Sequence, residues 1–187
     1  RITLISRSFA ALLTGLLAVP ALACAPEAEE SPVVSRGAPI VPLDTGTVFI
    51  ETGADTFRVS VEIAETPTQR EIGLMERMDL PEDEGMIFLS YEEQDSTAGF
   101  YMFRTRIPLD IAFLDRDGRI VAIRSMEPCA SPYASYCETY AAGVSYWGAL
   151  EVNGGYFETR GIDVGDRVTL RRAGRVTPLP DTGSAPP

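Results

Sequence analysis

Residues 56–69, TFRVSVEIAETPTQ, hold the change of period on which the fold turns. Phe57, Val59, Val61 and Ile63 alternate with Arg58, Ser60 and Glu62, the period-two pattern of a strand with one buried face. The alternation stops at Ala64. Thr66, Pro67 and Gln69 then offer an N-cap, a proline at the first helical position and the third-position partner of a capping box. Upstream, TVFIE (47–51) predicts the first arm of a hairpin turning over Thr52-Gly53-Ala54-Asp55. Downstream, Ile72, Leu74, Met75 and Met78 recur at three- and four-residue spacings, so the pattern predicts a helix over 67–78 with one face docked on a sheet. Gly73 inside that helix would cost about 1 kcal/mol against Ala, which a close backbone approach would explain.

Short apolar runs and turn residues fill the remainder. MIFLSY (86–91), FYMF (100–103), LDIAFLD (109–115), RIVAIRSM (119–126) and YWGALEV (146–152) read as strands, with a last one starting at Arg167. Asp117-Gly118 is a strong hairpin turn, and residues 156–160 form a helical turn ending at Gly161. No internal repeat is visible. The expected fold is mainly β: a single jelly-roll-like β-sandwich or small barrel with one clear α-helix at about 67–78.

The ends differ in composition from the middle. Arg1 and Arg7 precede an apolar run from Phe9 to Val19, shorter than the roughly 20 residues of a membrane span. Ala21-Leu22-Ala23 is a small-x-small cleavage pattern followed at once by Cys24. Residues 1–23 are therefore expected to be a signal peptide. Cys24 is the expected lipidation site, though Leu is the usual residue where Ala21 stands; simple cleavage and secretion is the alternative. Residues 24–45, rich in Pro, Glu and small residues, read as a disordered tether. The β-domain is expected over 46–176, and 177–187 as a disordered tail. Leu179-Pro180-Asp181-Thr182-Gly183 matches a sortase pattern but lacks the apolar span and basic tail that sorting needs.

The 187 residues carry 27 acids against 16 basic residues, a net charge of −11. Such a surface repels nucleic acid and anionic head groups, so neither is expected as a partner, and membrane contact is expected only through a lipid on Cys24. All 16 basic residues are Arg and there is no His. This excludes a Ser-His-Asp triad, a His zinc site and Schiff-base chemistry. Any catalysis must use carboxylates, Tyr, Arg or a bound ion. Of the three cysteines, Cys129 and Cys137 can pair in an oxidising compartment. A two-Cys metal site has no His to complete it. No metal or other cofactor is expected, and no protein partner is identifiable.

VEIAETPTQREIGLMERMDLPEDEGMIF, FYMFRTRIPLDIAFLDRDGRIVAI, the Glu-Pro before the first loop cysteine, ALEVNGG and GIDVGDRV form an ordered set. Together they resemble the DUF192 family, also catalogued as UPF0127, over roughly residues 57–171. The resemblance implies a mainly-β, jelly-roll-like domain, often secreted or envelope-attached, and implies no function. Where that family has Trp-Met-Lys-Asn-Thr, this chain has Tyr101-Met102-Phe103-Arg104-Thr105. If the Lys or Asn of relatives touches a ligand, specificity here has changed, since Arg is a planar cation and no simple Lys substitute.

Five polar residues interrupt core-like surroundings: Arg70, Arg77, Thr105, Asp110 and Glu151. Buried charges must be paired or open to water. Arg70 and Arg77, two helical turns apart, are expected to share a face, with Asp110 paired to one of them. One reading is Arg–carboxylate pairs tying helix to sheet. The other is a pocket for a small polar or carbohydrate-type ligand, lined by these residues with Tyr101 and Met102. Asp110 with Glu151 also raises a carboxylate-dependent hydrolase, decided by their separation. Met75, Met86 and Met102 could hold Cu(I), but Met more often fills irregular gaps in a core. Tyr101, Tyr146, Trp147, Tyr156 and Phe157 could stack on sugars or pack internally. The 127–146 loop is long for a compact β-domain, and long loops often carry function. The favoured function is an envelope-associated or secreted accessory module, non-enzymatic; a hydrolase and a purely structural envelope protein are the alternatives.

Overall fold

The hairpin forms as the alternation requires. In a computed structural model that describes residues 42–172 and 175–177, β1 (Asp44–Glu51) pairs antiparallel with β2 (Thr56–Ala64), Glu51 facing Thr56. The Thr52 hydroxyl accepts the Ala54 and Asp55 amides across the turn. The segment expected as a signal peptide, Cys24, most of the expected tether and the residues beyond 177 lie outside the described residues.

After β2 come α1 (Pro67–Ile72) and β3 (Glu84–Gln94), and β3 pairs parallel with β2. The capping box is complete: Thr66 accepts from the Gln69 amide, and Gln69 Oε1 accepts the Thr66 amide at 2.9 Å. The helix is shorter than its spacing predicts. It stops at Gly73, whose φ of 49° and ψ of −133° leave the helical region, so Gly73 is a C-cap rather than an interior glycine. The chain then winds through turns. Leu74 is buried, but Met78 is 70% exposed, so the expected docking face ends with Leu74 and Met75.

β4 (Gly99–Tyr101), β5 (Leu109–Leu114), β6 (Ile120–Met126), β7 (Thr139–Ala141), β8 (Tyr146–Asn153), α2 (Tyr156–Arg160), β9 (Arg167–Arg172) and β10 (Arg175–Thr177) follow. Eight strands form one sheet in the order β10-β9-β1-β2-β3-β8-β5-β6. The sheet curls: Val168 N–H donates to Gly118 O at 2.7 Å and Arg119 bridges to Arg167, bringing the β5–β6 turn against β9 without closing the ladder. The fold is thus mainly β and barrel-like. β4 leaves the main sheet and pairs with β7 instead. The expected FYMF strand is therefore three residues long, and the 127–146 loop contains a 3-10 turn (Ala134–Tyr136) and a strand of its own.

One face of the sheet buries Val48, Ile50, Val61, Ile87, Leu150 and Val152 with the aromatic pair of α2, Tyr156 and Phe157. The other face, carrying Met86, Phe88, Ile111, Phe113 and Ala149, is roofed by Leu74, Met102 and the β4–β7 ribbon. The Cys129–Cys137 disulfide ties that roof, and Cys129 N–H donates to Met102 O.

Candidate functional site

Roof and sheet do not meet everywhere. Between them lies a pocket of about 320 Å3. The sheet supplies Phe88, Ser90, Tyr146 and Glu151; the roof supplies Phe100, Tyr101 and Thr105; the α1 side supplies Arg70, Leu74 and Met75.

Strand register brings Glu151 here. It stands between Met86 of β3 and Ile111 of β5, both fully buried, on the roofed face. Four polar or charged side chains are buried among the described residues: Ser90, Thr105, Asp110 and Glu151. Three of them line this one pocket, and among the described residues none of the three makes a side-chain hydrogen bond. Their polar atoms open on the pocket, whereas the fully enclosed side-chain atoms without a partner among the described residues, Tyr156 Oη and Arg172 Nε, belong to residues that do not line it. Burial alone pushes the Glu151 carboxyl up to about 8, leaving it mostly neutral at pH 7. Burial also raises Tyr146 on the same wall.

The rim is held by ions. Glu76 and Arg104 both adopt positive φ, at 60° and 59°. Glu76 N–H donates to Arg104 O at 2.7 Å; Arg104 Nε donates back to Glu76 Oε1 at 2.6 Å, and Arg106 to Oε2 at 2.8 Å. One carboxylate thus locks the turn after α1 to the turn presenting Thr105. The Arg104-Thr105-Arg106 interruption in an apolar run is this clamp.

The sequence-derived candidates separate into two groups. Arg70, Tyr101, Thr105 and Glu151 come together at the pocket. Arg77, Met102 and Asp110 do not. Arg70 and Arg77 share no helical face, because α1 ends between them: Arg70 donates to the Leu89 carbonyl at 3.1 Å and to that of Glu65, whereas Arg77 pairs with Glu62. Met102 is core, packed with Met86 and Met126, while Met75 lines the pocket. Asp110 accepts from the Ser125 hydroxyl at 2.8 Å rather than pairing with a helix Arg. Asp110 lies opposite Val152, and Ile111 opposite Glu151, so the two acids leave their strands through opposite faces. They are not a catalytic pair. Ser90 was not singled out from the sequence, although it lies in phase with Met86 and Phe88 on β3. Trp147 lies under Arg116 at 5.5 Å, away from the pocket. Among the described residues no three of His, Cys, Asp and Glu gather as a metal would need.

The DUF192 sequence pattern, whose description is "Uncharacterized ACR", matches residues 48–170. The chain belongs to the DUF192 family. Among solved structures, it is similar to a protein from Sinorhizobium meliloti 1021 described as a "putative transcription regulator". The two are 31% identical, with a TM-score of 0.63, covering 72% of this chain and 98% of that one. It is also similar to a protein of unknown function from Novosphingobium aromaticivorans DSM 12444. Here identity is 34% and the TM-score 0.61, covering 70% of this chain and 88% of that one. No curated protein matches it. The two structures share the fold of this chain.

Proposed function

We propose that this DUF192 protein is a non-enzymatic accessory module that binds a small polar ligand, carbohydrate-type molecules included, in the pocket between sheet and roof. One observation carries the reading: Ser90, Thr105 and Glu151, polar residues buried as a whole, make no side-chain hydrogen bond among the described residues and open their polar atoms on the same cavity. A ligand, or the water it displaces, would satisfy them. The cavity volume suits a molecule of about one or two sugar rings, at the small end of ligand pockets.

The module works in the cell envelope, held by a lipid on Cys24, or is secreted after simple cleavage. The Cys129–Cys137 disulfide suits an oxidising compartment. Labelling with a fatty-acid probe in cells, with Cys24→Ser as control, separates the anchored form from the secreted one.

Thermal shift with sugars, cell-wall fragments, small acids and amines tests the binding reading. A ligand at 100 times its Kd adds about 2.7 kcal/mol, a shift of several degrees. Glu151→Gln should remove the shift; a hit indifferent to Glu151, Thr105 and Ser90 would put binding elsewhere. A hydrolase is the second reading, favoured by one fact: a carboxyl raised to about 8 is a general acid at neutral pH. It requires turnover that dies in Glu151→Gln. Without either binding or turnover, a purely structural envelope role would stand.

A further inference from the structure

We infer that the pocket takes a small organic cation, with its ammonium against the Glu151 carboxylate and its carbons against Phe88, Phe100, Tyr101 and Tyr146. The inference rests on the pocket being a ligand site and names the chemical class of the ligand.

Three partly buried acids of β2 and the turns flanking α1 are answered by arginine. Glu62 pairs with Arg77, Glu65 with Arg172, and Glu76 with Arg104 and Arg106. Glu151 is more deeply buried than any of these and has no such partner among the described residues. Among the described residues that line the pocket Arg70 is the one cation, and it is turned to the carbonyls of Leu89 and Glu65. Without a cation beside it Glu151 stays protonated, and the positive partner that would let it ionise is absent among the described residues and left to a ligand. Four aromatic rings line the same cavity. Aromatic faces attract alkylammonium groups, and a desolvated site strengthens that attraction. A neutral sugar would hydrogen-bond the Ser90, Thr105 and Tyr146 hydroxyls and the Glu151 carboxyl alike, but only a cation gains from ionising that carboxyl. The net charge of −11 draws cations toward the protein.

Binding is coupled to proton release. Burial holds Glu151 neutral up to about pH 8 when no cation faces it, and a cation binds the ionised form. The other titratable groups on the pocket are Arg70, Glu71, Tyr101 and Tyr146. Along the strand row through Glu151, Glu62 is paired to Arg77, and Arg124 donates to the carbonyls of Ile123 and Ala142. Glu151 gains its charge as pH rises through about 8, while burial pushes Tyr146 up from its ordinary value.

The test is calorimetric titration of the purified protein, disulfide intact and salt fixed, with choline chloride, its uncharged isostere 3,3-dimethylbutan-1-ol, and glucose. Choline carries a permanent charge, so any pH dependence belongs to the protein. The expected result is choline affinity rising about tenfold per pH unit below 8 and levelling above it. The alcohol should bind at least about tenfold more weakly. Glu151→Gln should abolish the pH dependence while melting cooperatively; the wild-type pH profile stands without that variant. Glucose or the alcohol binding as well as choline, or choline affinity flat from pH 6 to 9, overturns the cation and leaves the pocket intact. Silence from all three probes at pH 9 overturns both.

Discussion

Asp110 and Glu151 sit on neighbouring strands, one step apart in register, and project from opposite faces of the same sheet. The consequences of removing them should therefore separate. Asp110→Ala takes away the acceptor of the Ser125 hydroxyl and leaves a small void in a site that is 2% exposed. We expect a stability loss of about 1–3 kcal/mol by denaturant unfolding, with ligand affinity in the pocket unchanged. A variant that folds normally and no longer binds would contradict this assignment.

The second prediction concerns pH. Glu151 has a folded-state pKa of about 8, above the 4.5 of an exposed glutamate, and burial is the cause. The folded state therefore holds a proton that the unfolded chain has released between these values. Its stabilising contribution is full below about pH 4.5 and disappears as pH rises to about 8. The loss is on the order of 3–5 kcal/mol. Glu151→Gln cannot ionise, so the variant should keep its stability across that window. Parallel unfolding curves for wild type and variant from pH 5 to 8 would show that Glu151 is ionised in the fold.

How much of this was legible in the sequence depended on the range of the interaction. The period-two run at 57–63 and the Thr66–Gln69 capping box are local, and both appear where they were expected. The extent of α1 was not legible, because the spacing of Ile72, Leu74, Met75 and Met78 fits a helix while Gly73 takes a backbone state that ends one. The candidate site was half legible. Glu151 and Thr105 stand out as polar residues in apolar runs. That Asp110 faces away from them follows from cross-strand register, and that β4 leaves the main sheet follows from its pairing with β7. Neither is encoded within a single segment.

Glu76 carries the third prediction. Its carboxylate is held below the usual range, first by the hydrogen bond from Arg104 and then by that from Arg106. The clamp is therefore present above pH 4.5 and is lost as pH falls through the lowered value. Glu76→Ala should lower Tm at pH 7 and loosen the turn that presents Thr105, raising amide exchange there. Below the lowered pKa, wild type and variant should melt alike; a Tm gap that persists to pH 2 would mean the charge is not what matters.

The disulfide gives the fourth. Cys129 and Cys137 close a short loop, which the chain-entropy account values at about 2–3 kcal/mol. Cys129 also donates to the Met102 carbonyl, so the bridge fixes the roof as well as its own loop. Reduction should lower the unfolding midpoint by that amount and weaken binding in the pocket. If reduction changes stability but leaves affinity untouched, the roof is held by Glu76 and the β4–β7 ribbon alone.

Gly73 sits where α1 stops and the pocket wall begins, and its φ of 49° with ψ of −133° is a backbone state that a side chain opposes. Space is not the obstacle: an added Cβ would lie 3.4 Å from the Phe88 ring, an ordinary contact. The cost of Gly73→Ala is therefore conformational, about 1–3 kcal/mol. Gly53 provides the control, since an added Cβ there meets nothing within 4 Å and its φ is unremarkable for an L residue. Gly53→Ala should stay within about 0.5 kcal/mol of wild type. The strain at Gly73 also bears on the site, because relieving it means shifting Leu74 and Met75, which line the pocket. Equal stability in the two variants would mean that the turn after α1 rearranges at no cost, and that the wall it forms is not fixed by Gly73.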